Sequence, residues 1–502
     1  MSAPNSGPAA LIRRGALAAT LVCVLGSCAV GPNFTRPAAP AVTHYAHGAD
    51  PAATVAAQGT GQRFIPGAHL APEWWRLFNS DKLDVVVAEA LAANPGLQAA
   101  QASLRQSEHT LRSGYGIFYP SVEADASATR QRLSLEKFGQ PSAPSPVFNL
   151  FTLQASVSYL LDLFGGERRM IEALHAQVDL QRANEQATYI MLIANIINTV
   201  VAQAAYRAEV QATGELIGLQ REQVRLAEVQ VNSGTAAYST VLSLRSQLAA
   251  TEATIPQLQQ KLAQSDDLLA TLAGHVPADW NPAQVALADL TLPGELPVSL
   301  PSELVRQRPD ILAAEATAHA ASANVGVATA AMLPSLTLSG AYSANGTATG
   351  SLFAANGRAW SFGGDLAQPL FEGGTLWYKR KAAIDSYQEA MALYRQTVLA
   401  AFAQVADTLQ ALEHDAAALR AQDEALAASR EALHLVQINY EAGLNTFLDV
   451  LVADSQYHQA LVNDLETTAL RYQDTVALYV ALGGGWWSAD PGAAPPGQSP
   501  GP

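Results

Sequence analysis

The sequence predicts an α+β membrane protein built from two internal structural repeats. Four strands are contributed to a trimeric twelve-stranded transmembrane β-barrel, and long coiled-coil helices to an α-helical barrel. Three observations carry this. First, the chain repeats itself in order: NPGLQAAQAS (94–103) echoes RPDILAAEAT (308–317), and YPSVEADAS (119–127) echoes LPSLTLSGA (333–341). LLDLFGGERRMIEA (160–173) then echoes QPLFEGGTLWYKRKAA (368–383), and VQVNSGTAAYSTVLSLRSQ (229–247) echoes INYEAGLNTFLDVLVADSQ (438–456). The spacing, about 210 residues, is far longer than a solenoid repeat and implies two equivalent halves. Second, each half holds two segments of alternating polarity, of the roughly ten-residue length that a tilted transmembrane strand needs. Third, 167–232 and 375–442 contain no proline, so each can run as a single very long helix.

The N-terminal region comes first. Arg13 and Arg14 precede an apolar run at 16–25 that is too short to span a bilayer and stay there, which marks 1–27 as a lipoprotein signal peptide. It ends on Leu25-Gly26-Ser27-Cys28, which resembles the bacterial lipobox. Cys28 is therefore the candidate lipidation site, its thiol carrying a diacylglycerol of the palmitate type. Cys23, the only other cysteine, leaves with the leader, so no disulfide is expected. The residue after Cys28 is Ala29 and not the Asp of an inner-membrane retention signal, which points to the outer membrane. Residues 28–70, rich in Ala, Pro and Gly, read as a lipid-anchored extended arm.

The first repeat is expected over 71–273, with strands at about 121–132 and 150–163. In FTLQASVSYLLDL, Phe151, Leu153, Ala155, Val157, Tyr159, Leu161 and Leu163 share one face, against Thr152, Gln154, Ser156, Ser158 and Asp162. SVEADASATR alternates most weakly. After a linker at 274–300, the second repeat (301–485) repeats the pattern at about 335–345 and 358–370. There Leu336, Leu338 and Tyr342, and Trp360, Phe362 and Leu366 against Ser361 and Asp365, alternate in the same way. A soluble sandwich strand would alternate likewise, but four strands flanked by long helices offer no second sheet to pack on.

The long helices are expected at about 167–232 and 374–442, each roughly 100 Å long. Leu244, Leu248, Ile255, Leu258, Leu262, Leu269 and Leu272 form a coiled-coil seam on the partner helix of the first half, with Pro256 kinking it. The hairpin turns contain Gly234 and Gly443, suited to the left-handed conformation that closes a helix. Gly165-Gly166 and Gly373-Gly374 lie where a strand must turn into a helix, and no phosphate-loop pattern surrounds them. YIMLIANIINTVVAQAAY (189–206) carries Asn195, Asn198 and Gln203 and reads as a buried helical stretch, not a membrane span. The tail, 486–502, reads as disordered.

Four strands cannot close a barrel, and an open sheet edge in lipid leaves backbone groups unsatisfied. Three chains give twelve strands and an aqueous lumen, with twelve helical rods continuing the cylinder.

The chain resembles the TolC-like outer-membrane factors, in particular the lipoprotein branch (NodT-like) that serves resistance-nodulation-division (RND) efflux pumps. CAVGPNFTRP after the lipobox, WWRLFNSDKLDVVVAEALAANPGL (74–97), QRPDILAAEA (307–316) and ALGGGW (481–486) carry the resemblance, which runs from the lipobox to about Trp486. It implies a homotrimer, a periplasmic α-barrel with an equatorial collar, and a periplasmic adaptor (membrane fusion) protein joining it to an inner-membrane RND pump. The implied role is a passive outer-membrane exit duct for small molecules such as drugs or toxic compounds. It also implies a periplasmic gate made of Tyr440, Gly443, Leu444, Phe447 and Asp449. In relatives an aspartate follows each turn glycine by six residues. Asp449 matches after Gly443, whereas Gly234 is followed by Thr240, and Asn445 and Val452 stand where some relatives carry a basic and an acidic residue. Fewer ionic bonds are thus expected at the tip, with Leu444, Phe447 and Leu448 adding apolar closure.

No HExxH, GxSxG or Cys/His cluster is present, so neither enzyme activity nor a cofactor beyond the lipid is expected. His44 and His47 lie in a Pro/Ala-rich segment unsuited to a metal site. A net charge of −15 disfavours nucleic acid. Trp74-Trp75 and Trp486-Trp487 do not lie near a barrel strand and are expected to pack in the collar. Two other readings are a lipid-anchored coiled-coil spacer without a pore, which would not need strand alternation, and a type I protein-secretion exit channel, whose known examples typically lack a lipobox.

Overall fold

The computed structural model describes residues 29–46, 48, 50–134 and 145–486. The leader, Cys28, His47, Trp487 and the rest of the tail lie outside the described residues. In chain order the elements are β1 (Arg63–Pro66), α1 (Asp81–Ala93), α2 (Pro95–Gly114), β2 (Ser121–Arg132), β3 (Val147–Leu161), α3 (Gly166–Asn232), α4 (Tyr238–Glu252) and α5 (Thr254–Leu272). There follow β4 (Glu295–Val298), α6 (Pro301–Gln307), α7 (Pro309–Ala330), β5 (Ser335–Gly346), β6 (Arg358–Ala367), α8 (Thr375–Glu441) and α9 (Phe447–Ala481). The chain forms two compact units, each assembled from separated segments.

One unit comprises 29–36, Arg105–Leu180 and Ala314–Tyr394. Its centre is an antiparallel sheet of order β2-β3-β5-β6. β3 ends two residues earlier than the alternation suggests, because the Asp162 carboxylate turns away to accept hydrogen bonds from the N–H groups of Glu167 (3.3 Å) and Arg168 (3.1 Å), orphan donors of the first turn of α3. β6 stops at Ala367, two residues before Pro369, which has no N–H to offer a ladder. Gly165 (φ 78°), Gly373 (φ 60°) and Gly374 (φ 85°) take the left-handed conformation between strand and helix. The segment after Cys28 is seated on this unit. The Val30 N–H donates to the Phe164 carbonyl (2.9 Å), and the buried Arg169 donates to the Val30 carbonyl (3.2 Å) and to Asn33 Oδ1 (2.5 Å). Phe34 stacks on His319 at 4.5 Å, and Arg36 pairs with Glu315 at 2.6 Å.

The other unit comprises Pro37–Leu104, Gln181–Ala313 and residues 395–486. Its core joins Trp74, Phe78, Leu83, Ile193, Ile197, Leu296, Val405 and Tyr479. Trp74 and Trp75 meet edge to face at 6.5 Å, and the Trp486 indole donates to the Gln307 carbonyl at 2.9 Å, so these tryptophans are packing residues. Among the described residues one helix, α3, is apolar and long enough to cross a membrane by composition. Its apolar stretch is instead mostly buried: Leu192, Ile193, Ile196, Ile197, Val200 and Val201 face this core. The seven seam residues of α4 and α5 are all buried or half-buried. The helix breaks at Ala253, three residues before Pro256, whose ring crowds the carbonyl of Glu252 one turn back. A two-stranded parallel sheet, β1 with β4, was not expected from the sequence. Arg471, 2 % exposed, ties the preceding arm to α9 through Gln62, Thr54 and the carbonyls of Ala57 and Thr60.

Candidate functional site: a two-faced sheet and a paired helix turn

Register decides what each face of the sheet presents, since directly opposed residues of an antiparallel pair share a face. Val157 stands between Val122 and Gly340, Ala155 between Ala124 and Tyr342, and Leu153 between Ala126 and Ala344. Tyr342 and Gly340 continue to Trp360 and Phe362 on β6. Apart from Arg358, which stands opposite Ala344 at the end of β6, this face is apolar over the span, and its large aromatic side chains lie open: Trp360 is 79 % and Phe362 77 % exposed. The opposite face carries Glu123 against Ser156, Asp125 against Gln154, and Asp365 against Thr337. β2 fits this pattern with the small residues Ala124, Ala126 and Ala128, which is why its alternation was weakest in the sequence. β2 pairs only with β3 and β6 only with β5 among the described strands, so both outer edges carry unpaired backbone groups.

In the other unit the two glycine turns come together. Gly234 (φ 76°) and Gly443 (φ 74°) each close a helix in the same way. The Thr235 N–H reaches the Gln230 carbonyl (2.9 Å) and the Leu444 N–H reaches the Asn439 carbonyl (2.8 Å), the six-to-one bond of a Schellman ending. Gln230 donates to the Tyr440 hydroxyl at 3.0 Å, linking one turn to the other. Tyr440 meets Phe447 edge to face at 5.6 Å, and Phe447 packs on Val224, Ala227, Val241 and Leu244. Leu444 and Leu448 instead project outward, exposed.

Asp449 has a local role that the sequence reading missed. Its Oδ2 accepts from the Thr446 hydroxyl and the Thr446 N–H, both at 2.7 Å, so that Thr446-x-x-Asp449 forms a capping box at the start of α9. The Thr446 hydroxyl first, then its N–H, hold the Asp449 carboxyl below the usual carboxylate range. The signal was legible, a Thr three residues before an Asp. The equivalent positions of the first turn, Ala237 and Thr240, cannot make this pair, and Thr240 only donates its N–H to the Ala237 carbonyl (3.0 Å).

Comparison with known proteins accounts for this pairing of sheet and helices. The sequence model of the family described as outer membrane efflux protein matches residues 86–275 and 300–484. The pyoverdine export outer membrane protein OpmQ of Pseudomonas putida is 30 % identical over 421 residues, 83 % of this chain and 89 % of that protein. The cation efflux system protein CusC of Escherichia coli is 26 % identical over 464 residues, 92 % of this chain and 96 % of that protein. Among solved structures, the outer-membrane channel OprN superposes with a TM-score of 0.81 at 28 % identity, over 91 % of this chain and all of that one. A chain matched along both halves, whose relatives are outer-membrane components of export systems, belongs to the outer membrane efflux protein family, and its place is the Gram-negative outer membrane.

Proposed function

We propose that this protein is the exit duct of a tripartite efflux system, in which three copies close a twelve-stranded barrel and conduct small molecules passively to the exterior. The observation that carries the reading is the two-faced four-stranded sheet with two unpaired edges. In hydrocarbon each unpaired backbone group costs several kcal/mol, so the edges must meet other copies, β6 of one chain against β2 of the next. The apolar face then meets lipid, and the face of Glu123, Asp125 and Asp365 lines water. The long helices continue the duct, and the paired turns at Gly234 and Gly443 form its gate, where three copies of Asp449 would surround the axis. Energy comes from an RND pump in the inner membrane, coupled through a periplasmic adaptor. OpmQ and CusC, by their names, serve pyoverdine and cations, which supports small solutes as the substrate class here. The protein carries out no chemical step in this scheme.

Reconstitution in planar bilayers tests the reading: discrete conductance steps from the purified protein are expected, and their absence from a properly assembled oligomer would overturn it. The anchor is tested separately. Cys28→Ala is expected to abolish acylation while leaving the barrel able to insert, as read by mass spectrometry of the mature N-terminus. An unmodified N-terminus well beyond Cys28 in the unsubstituted protein would exclude the lipid.

A further inference from the structure

The contact between α8 and α9 carries acidic residues facing one another instead of ion pairs. Asp464 of α9 stands within hydrogen-bonding reach of Asp423 of α8, and Asp474 of α9 stands likewise against Asp415 of α8. The two pairs run in opposite senses along the chain, as antiparallel helices require. Asp464 Oδ1 and Asp415 Oδ2 are buried and have no hydrogen-bond donor among the described residues. Two carboxylates can bond to each other only through a proton, and a buried carboxylate oxygen left without a donor is costly. One proton per pair resolves both problems at once.

The surroundings offer little other charge compensation. A cavity of about 420 Å³ beside the first pair is lined by Leu287, Leu290, Leu419, Asp464, Thr468 and Arg471, among others. The Arg471 guanidinium, whose donors are engaged by the arm, feels the Asp423 charge, and Tyr472 is the other titratable group lining this cavity. From the arm, Gln58 donates its N–H to Asp423 (3.0 Å) and its side-chain amide to Asp464 (3.4 Å) and Thr468 (3.0 Å). Gln58 does so from a left-handed backbone (φ 50°) that non-glycine residues seldom adopt. A turn held in that conformation against both acids is a built contact. Asp415 is the charged group that faces Asp474. Glu466, on the same helix, faces Glu209 of α3, which Lys261 of α5 also approaches.

We propose that the Asp423–Asp464 and Asp415–Asp474 carboxyl pairs form a proton-held clasp between α8 and α9, and that losing the shared protons as pH rises loosens this helix pair and raises conduction. Burial, then the facing carboxylate, push Asp464 up to about 6 and Asp474 up to about 7, which sets the working range near neutrality. Acids raised in the folded state ionise first in the unfolded one. Their stabilising effect is therefore present at acid pH and is lost as pH rises through the folded values. The consequence for conduction rests on the duct reading above. The clasp itself does not.

The test uses the assembled full-length protein in detergent and in planar bilayers, in an Asp454→Asn background so that this isolated buried acid adds no pH dependence. The melting midpoint is expected to fall by several degrees between pH 5 and pH 8. The double variant Asp464→Asn/Asp474→Asn, which keeps shape and supplies a permanent donor to each pair, is expected to lose most of that fall. Conductance is expected to rise over the same range in the background protein and to stay flat in the double variant. An equal fall in melting midpoint in both proteins would overturn the clasp. A flattened melting curve with unchanged pH dependence of conductance would overturn its coupling to the pore. Absence of any conductance would count against the duct reading while the melting comparison still judged the clasp.

Discussion

Asp454, on α9, is 1 % exposed, and neither of its carboxylate oxygens meets a donor among the described residues. Its neighbour on α3 is Gln220, whose own Oε1 is likewise unpaired, and protonation gives the carboxyl a donor that an amide oxygen can accept. Burial pushes this acid up to about 6, offset in part by Gln220. The unfolded chain ionises Asp454 near its ordinary value, so the stability it supports is present below about pH 4 and is lost as pH rises through 6. Asp454→Asn, whose amide can donate to Gln220 at every pH, is expected to stabilise the protein at pH 8 by roughly 2 to 3 kcal/mol and to change little at pH 4, as read by melting at the two values. Asp449 is the opposite case, exposed and held ionised by Thr446. If three such carboxylates ring the gate, Asp449→Ala should raise single-channel conductance and weaken cation preference, while Thr240→Ala should change little. An unchanged pore in Asp449→Ala, together with opening by Leu444→Ser, would shift the barrier to apolar closure. Of the residues expected at the gate, the turn glycines were legible because a helix-closing glycine is a local signal, and Asp449 through the family resemblance, whereas its cap with Thr446 was missed although that pattern is local too. The Gln230–Tyr440 bond and the acid pairs were not, because their partners lie far apart in the chain and only helix packing brings them together.

Among the elements, the four strands and two long helices could be read from periodicity and the absence of proline. β1 and β4 could not: RFIP and ELPV are four residues each and carry Pro66 and Pro297, which argue against strands. They pair because a two-stranded edge tolerates proline and because Phe64, Leu296 and Val298 are buried in the core. The seat for residues 29–36 was equally invisible, since nothing in a Pro/Gly-rich arm announces Arg169 or His319 as its partners. The strand faces yield a sharper prediction. Val157 lies in the middle of the apolar face between Val122 and Gly340, and Ser156 on the other face between Glu123 and Ala341. Val157→Arg is expected to block barrel assembly, at a cost of roughly 2 to 4 kcal/mol near the bilayer midplane, whereas Ser156→Arg should assemble and place its charge in the lumen. The yield of heat-modifiable oligomer from outer-membrane fractions measures both, and equal tolerance would mean that the strands never meet lipid.

For the whole molecule, the requirement is that no sheet edge remains open in the bilayer. One chain supplies four strands. Two chains give eight, a barrel that side chains fill, with no room for an aqueous solute path. Four chains give sixteen, a wide pore needing sixteen helical rods to continue it. Three chains give twelve strands and, counting α4 with α5 as one kinked rod beside α3, α8 and α9, twelve rods, so that one symmetry serves both barrels. A lipid on Cys28 would fit this count without determining it, because a tethered chain is held to the membrane whatever its partners. The stoichiometry can be measured without perturbing a residue. If tagged and untagged chains are co-expressed in equal amounts and assemble at random, a trimer yields four species in proportions of about 1:3:3:1, resolved by native mass spectrometry of the detergent-extracted protein. Three species at about 1:2:1 would mean a dimer, and the shared aqueous barrel would then have to be abandoned.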